Sequence, residues 1–421
     1  MLDVAIIGAG AAVLGAARTA ISKGLSFKVL EAAPFIGGRA RTDTTSLGVP
    51  CDLGCRSLYG GDANPFQAFA LENGVRLEPD PEEMAFHDGR RFLDSNETRA
   101  TVAAFERLES NMVSAHEKFV STSGVPDRSQ LEAIDTDGPG ADYFLQAMHL
   151  ECTAPAGEIS LSDSMNAVLT TAGKAVRDGY GALIQRVAAE VEVVVDCPVS
   201  AIDLSGSNIV LDTPKGQIEA RTVVITVSTA VLAAERIVLR PGGWPNQKLT
   251  AIESLPLGSV TQVGIRLEPG AIPAEFVQLQ GESVSKTLVN CLMPEPQNLM
   301  WLLGAGNGDL AIAYLGGVFS RELALQGEEA QADWAIHQLS VLFGNSIKPA
   351  VVATCATPFD REPWIGGGYA YCRYGSGNQR PALAEPIEDR LFFAGEACSP
   401  DHPGTAHGAW LSGVAAVNSS R

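Results

Sequence analysis

The stretch DVAIIGAGAAVLGAARTA, residues 3 to 20, constrains the fold of this chain most: an unbroken apolar run passes through glycines straight into an alanine-rich helical pattern. Glycines placed like Gly8 and Gly10 permit a tight strand-to-helix turn and let backbone N–H groups approach a pyrophosphate where the helix opens at Ala11. The third position of G-x-G-x-x-G is held by Val13 instead of the glycine that would let helix and strand pack closely. Gly15 cannot substitute, because two residues along a helix turn roughly 200° about its axis. Val13 is therefore expected to hold the helix slightly away from the strand. One imperfect fingerprint is weak evidence, and an ordinary βαβ unit with a Gly-rich turn also explains it.

The next apolar run, SFKVLE, reads as a second strand and ends on Glu31, about twenty residues beyond the glycines, where a ribose carboxylate belongs. Its oxygens can accept both hydroxyls of an adenosine ribose, and its charge repels a 2′-phosphate, which disfavours NADP and leaves NAD or FAD. In EAAPFIGGRARTDT two more glycines precede Arg39, whose guanidinium can pair with phosphate oxygens. At the far end, DRLFFAGEACSPDHPGTAHGAWLSGVAA reads as a strand running into Gly395 and Glu396, then a loop, then a helix beginning near Ala406. Such a helix start offers free N–H groups to an electron-rich ring edge, for instance a flavin carbonyl.

A chain of 421 residues exceeds one ordinary core, so two domains are expected. The formal charge of −19 argues against nucleic acid and anionic membrane as partners, since those require basic patches. It favours cationic substrates, although acidity also serves solubility alone. No apolar run approaches the roughly 20 residues of a membrane span, and a strand beginning by Val4 leaves no room for a cleavable signal, so a cytoplasmic protein is expected. The eight cysteines are scattered without a C-x-x-C pair, the usage of reduced thiols; neither a metal site nor a disulfide framework is expected.

With these residues in hand, the chain resembles the FAD-dependent amine oxidases, the family of monoamine, polyamine and L-amino-acid oxidases. The resemblance runs nearly end to end, through IIGAG, EAAPFIGGRART, DLGCRSLYGGDANPF, ARTVVITVSTAVL, LPLGSV, GGGYAY, FFAGEA and GTAHGA, in the family order. It implies an α/β fold: a Rossmann-like, GR2-type FAD-binding domain plus an α+β substrate-binding domain with a mixed sheet. The expected FAD domain comprises residues 1–76, 176–253 and 362–421, and the substrate domain 77–175 and 254–361. Residues 77–175 read as polar and helical, whereas TQVGIRL, LMWLLGA and LAIAYLGG read as strands of the substrate-domain sheet, with a helix around EEAQADWAIHQLSVLF.

Carried over position by position, the resemblance assigns Gly8, Gly10 and Ala11 to the pyrophosphate, Glu31 to the ribose, and Gly38 with Arg39 to the phosphate and ribityl region. The main chain of Val199 would meet the adenine. Gly395 and Glu396 would reach the ribityl or pyrophosphate side, Thr405 and Ala406 the flavin, and Arg56 and Ser57 the loop near its face. Each is also explicable as an ordinary turn or strand residue.

Several departures bear on activity. Gly368 stands where monoamine oxidases carry the cysteine bonded to the flavin, so FAD is expected to be noncovalent. Tyr369 matches one wall of the aromatic cage, but the opposite wall falls at Thr405. Gln262 replaces a lysine that holds a water near the flavin; an amide can position water but supplies no cationic charge for oxygen reduction. Phe35 replaces an arginine, and Phe359 a tryptophan. Arg56 lies near the place where L-amino-acid oxidases clamp the substrate carboxylate, one residue out of register, and a structural or solvent-exposed role remains open. His402 and His407 flank the flavin loop without marking themselves as bases.

The resulting expectation is FAD-dependent oxidation of a small amine to an imine that water hydrolyses, with oxygen or another acceptor, a partner protein included, taking the electrons. Tyr369, Thr405, Gln262 and Arg56 would act by positioning. A homodimer is compatible with everything above. Two alternatives remain: a flavin-dependent desaturase or isomerase of an apolar substrate, and a flavin-binding protein with weakened catalysis.

Overall fold

The first strand, Leu2–Ile7, is apolar without alternation from Val4 onward because both of its faces are covered there, as in a central parallel strand: Val4 and Ile6 join one core cluster, Ala5 and Ile7 another. In the computed structural model, which describes residues 1–420 apart from 82, 123, 125, 139, 166–172, 278, 281–282 and 294–296, this strand lies between two parallel neighbours, Phe27–Leu30 and Gly216–Ile225. Val193–Val194 extends the sheet beyond Phe27–Leu30, and Leu391–Phe393 pairs in parallel with the end of Gly216–Ile225. The start of that long strand instead pairs antiparallel with Ile209–Thr213, which continues through Ala201–Asp203 to Val238–Arg240, completing eight strands.

The helix Ala11–Ser22 connects the first two strands into a parallel βαβ unit. Val13 is wholly buried in the same core cluster as Val4, Ile6, Val29 and Val224. Backbone contact is made elsewhere on this helix: a Cβ on Gly15 would stand 2.2 Å from the carbonyl oxygen of Trp410, in the C-terminal helix Ala406–Ser419.

The second sheet has six strands in the order Val351–Ala356, Val260–Leu267, Leu310–Gly316, Leu299–Ala305, Thr287–Cys291, Glu83–His87. The three runs expected from sequence are all strands of this sheet. The helices Gly317–Gln326 and Glu328–Phe343 cover one face, where Val263, Ile265, Trp301 and Ala313 pack with Leu323 and Leu339. The opposite face packs Leu302, Leu310 and Ile312 against Leu47, Cys51, Leu53 and Phe359.

One expectation needs correction. Residues 77–175 do carry helices, including the long Ser95–Ser121 with its Asp94–Glu97 capping box, but Glu83–His87 pairs in parallel with Thr287–Cys291 and forms the edge of the six-stranded sheet. Its alternation, in EMAFH, is too short to stand out beside a strong helical period. No helix among the described residues is long and apolar enough to cross a membrane. Cys51, Cys55, Cys197, Cys291, Cys355, Cys372 and Cys398 are free thiols.

Candidate active site

Four local turns shape one end of the site. Gly8 has φ +107°, and a Cβ there would come 2.5 Å from Thr226 Oγ1, so only glycine fits. Gly10 is the N-cap of Ala11–Ser22 with no capping side chain, and its ideal Cβ would meet nothing within 4 Å. The turn before Arg39 closes on the same spot: Gly37 N donates to Ala9 O at 2.8 Å, and a Cβ on Gly38 would lie 3.7 Å from Gly10 Cα. Gly395, at φ +146°, likewise has nothing within 4 Å of its Cβ position. An uncapped helix start facing open space lined by glycine backbone fits a pyrophosphate.

Glu31 follows Phe27–Leu30 directly, with Oε1 accepting from Ala33 N at 2.7 Å. Burial pushes its carboxyl pKa up, against the opposing pull of N–H groups from Ala33, Ala9 and Ala32. Cys197 N donates to Glu31 O at 2.8 Å, which brings the buried Val199 to the same edge of the sheet. The residues expected at the ribose and the adenine are thus adjacent.

Arg39 and Glu396 face each other. Arg39 Nη1 donates to Glu396 Oε1 at 2.7 Å and to Gly368 O at 2.6 Å, and Glu396 also accepts from Ala370 N and Gly404 N, both at 3.1 Å. This carboxylate ties together the turn at Gly38, the segment at Tyr369 and the loop before the last helix. Arg39, Thr226, Ser228, Gly395 and Glu396 line a common cleft.

Thr405 is the N-cap of Ala406–Ser419. Its hydroxyl accepts from Gly408 N at 3.0 Å and donates to His402 O at 2.8 Å, so the helix start at Ala406 is fixed and the hydroxyl is committed. The Tyr369 ring lies over Gly404, where a Cβ would come within 3.0 Å of it. At Gly368 a Cβ would meet Val260 Cγ1 at 2.9 Å, so a longer side chain there requires Val260 to shift. The His402 and His407 rings stand 4.5 Å apart, and burial, followed by the neighbouring His402, pushes the His407 pKa down to about 4.

Gln262 lies on the face of the six-stranded sheet that looks toward residues 47–54. Its Nε2 donates to Gly54 O at 2.6 Å, its main chain is clamped by Thr357, and its buried Oε1 has no hydrogen-bond partner. Directly across the sheet stands Tyr314, whose buried hydroxyl has none either. Next to Tyr314 is the Arg56 guanidinium, which reaches Ser57 Oγ at 3.0 Å and Asp80 Oδ1 at 2.9 Å. Gly54 also abuts Arg39, since a Cβ on Gly54 would be 2.1 Å from Arg39 O. Gln262 and Arg56 are therefore brought together beside the Gly-Gly-Arg turn.

Tyr314 and Asp80 were not singled out from sequence. Tyr314 is visible there only as one residue of LAIAYLGG, and its place opposite Gln262 depends on strand register. Phe35 stacks beneath the Arg41 guanidinium at 4.7 Å, and Phe359 is buried against Gly54.

The family described as flavin containing amine oxidoreductase matches residues 14–419. Probable polyamine oxidase 4 of Arabidopsis thaliana is 27% identical, over 98% of this chain and 86% of its own length. Lysine-specific histone demethylase 2 of Homo sapiens is 25% identical over 98% of this chain, which spans 52% of the demethylase. Among solved structures, cyclohexylamine oxidase from Brevibacterium oxydans IH-35A shares the fold, with a TM-score of 0.79 at 20% identity, covering 99% of this chain and 98% of that one. The chain belongs to the family of flavin-containing amine oxidoreductases, which bind FAD.

Proposed function

We propose that this protein oxidises a small amine at the carbon next to nitrogen, using noncovalently held FAD. Bound FAD supplies the acceptor for the hydride equivalent leaving that carbon. The observation that carries the reading is the buried, unpartnered Gln262 Oε1, set beside the Gly-Gly-Arg turn and opposite Tyr314. A buried amide oxygen without a partner is costly unless a water or substrate N–H completes it.

The backbone at Gly10, Ala11, Gly38 and Gly395 would hold the pyrophosphate and ribityl chain, Glu31 and Val199 the adenosine, and Ala406 N–H the ring edge. Tyr369 supplies an aromatic wall for the amine, and Gly404 sets its tilt. Thr405 acts through the helix start it caps rather than as a second wall. Arg39 and Glu396 hold the segments on either side in register. With no titratable base placed against the amine by these residues, the neutral amine is the form to be bound, and the site orients it.

Polyamine oxidases among the relatives favour amine oxidation over desaturation of an apolar substrate. Oxygen or a partner protein would take the electrons onward, and free thiols suit a cytoplasmic setting.

The test is to mix FAD-reconstituted protein anaerobically with primary, secondary and polyamines and then admit air. Bleaching of the flavin by an amine, and its recolouring in air, is expected. Bleaching by dithionite alone would overturn the reading. Release of all flavin on denaturation is expected from Gly368; retention on the chain would refute noncovalent binding.

A further inference from the structure

Arg56 presents a planar cation beside Tyr314 and Gln262, the kind of group a carboxylate seeks with two parallel hydrogen bonds. Two of its three nitrogens already face partners. Nη1 donates to Ser57 Oγ at 3.0 Å, and Nη2 lies 2.9 Å from Asp80 Oδ1 in an ion pair that is not aligned as a hydrogen bond. Only 18% of the Arg56 side chain and 19% of the Asp80 side chain is exposed, so solvent screens the pair weakly.

Asp80 is itself held from behind. Asp80 N donates to Gly173 O at 3.0 Å, and a Cβ on Gly173 would come 2.1 Å from Asp80 Oδ2, so the backbone there is shaped around this carboxylate. The other carboxylate near Arg56, that of Asp52, is turned to the Thr42 hydroxyl and to Tyr180 N at 2.8 Å. The phenols of Tyr59 and Tyr314 also act electrostatically on the guanidinium.

We propose that Asp80 sets the substrate class of the site: by holding Arg56 in an ion pair it withholds that guanidinium from substrate, and the site takes amines that carry no acid group. The inference rests on the amine-oxidising reading above and adds to it the kind of amine. An incoming carboxylate must either displace Asp80 from Arg56 or remain unpaired near two carboxylates, and both are costly where water is excluded. An amine with an uncharged tail meets a neutral pair and an aromatic wall.

The test compares 2-phenylethylamine with L-phenylalanine, which differ by the carboxylate alone, and phenylacetate, which has the carboxylate and no amine. The FAD-reconstituted protein and its Asp80→Asn variant are used, with Asp80→Ser standing in if Asn does not fold. The wild type is expected to favour 2-phenylethylamine in the rate of flavin bleaching and to bind phenylacetate weakly by calorimetry. Asp80→Asn is expected to raise the relative rate with L-phenylalanine, and the affinity for phenylacetate, by about tenfold or more, a gain that adding Arg56→Met removes.

An unchanged substrate ratio and unchanged phenylacetate affinity in a folded Asp80 variant overturns the inference. So does a gain that survives Arg56→Met. Failure of every amine to bleach the flavin overturns the amine-oxidising reading instead, and the phenylacetate measurement still decides the role of Asp80.

Discussion

A Cβ on Gly413 would stand 2.0 Å from the carbonyl oxygen of Ala12, so the helices Ala11–Ser22 and Ala406–Ser419 touch backbone to backbone. Gly15 makes the reciprocal contact with Trp410 O. The two helix starts, one proposed for the pyrophosphate and the other for the flavin edge, are thereby held at a fixed spacing. Gly413→Ala is expected to push them apart, costing about 1–3 kcal/mol of stability as an overpacked contact. It should also weaken FAD binding. Denaturant unfolding of the apoprotein and titration by flavin fluorescence measure the two; wild-type values in both would show that the spacing tolerates a methyl group.

Gln262 tests the link between charge and oxygen. Its Nε2 already donates to Gly54 O, a contact a lysine ammonium could also make, putting a positive charge where the neutral amide stands. Gln262→Lys is expected to speed recolouring in air by about tenfold or more while changing anaerobic bleaching much less, because a cation stabilises developing negative charge that an amide does not. Stopped-flow absorbance follows both phases, and equal effects on the two would assign Gln262 to amine binding instead.

Asp52 gives the fold a pH signature. Burial pushes its carboxyl pKa up to about 6, against hydrogen bonds from the Thr42 hydroxyl and Tyr180 N and the attraction of Arg56. A folded pKa above the unfolded value means the folded state holds the proton more tightly. The stability from this group is fully present below about pH 4 and is lost as pH rises through about 6. Asp52→Asn, which cannot ionise, is expected to gain in Tm relative to wild type between pH 4 and pH 7. A constant difference across that window would contradict the assignment.

Much of the backbone shape at the proposed nucleotide end was legible in sequence because the demands there are local. Gly8 and Gly38 answer a positive φ, Gly10 and Gly395 leave open space, and Glu31 follows its strand directly. Gly15 was legible as a residue that could not serve the strand, but not as the contact with Trp410, because its partner is almost a whole chain away. The same holds for Tyr314 opposite Gln262, fixed by register, and for Asp80 beside Arg56, fixed by a loop crossing. The Glu83–His87 strand was missed because its stability comes from the neighbour Thr287–Cys291 rather than from its own five residues. Val13 shows the limit from the other side: a motif position implies a steric problem, yet the surrounding core fully buries the valine.

Arg380 ties the site to the helix Leu161–Met165 and should govern stability more than any exposed pair. Its Nε and Nη2 donate to the two oxygens of Asp163 at 2.8 and 2.9 Å, and Nη2 also reaches Ala370 O at 3.0 Å, next to Tyr369. The arginine side chain is 2% exposed, so removing one partner strands the other charge in the interior. Asp163→Asn is expected to cost about 3–5 kcal/mol, and the double change Asp163→Leu with Arg380→Met to recover much of it. Because Ala370 O loses its donor only when Arg380 goes, Arg380→Met should raise KM for the amine through the adjacent Tyr369, whereas Asp163→Asn should act mainly on unfolding. Urea denaturation of the three variants beside steady-state kinetics separates these effects; equal KM changes in both single variants would mean that the pair acts on the site only through stability.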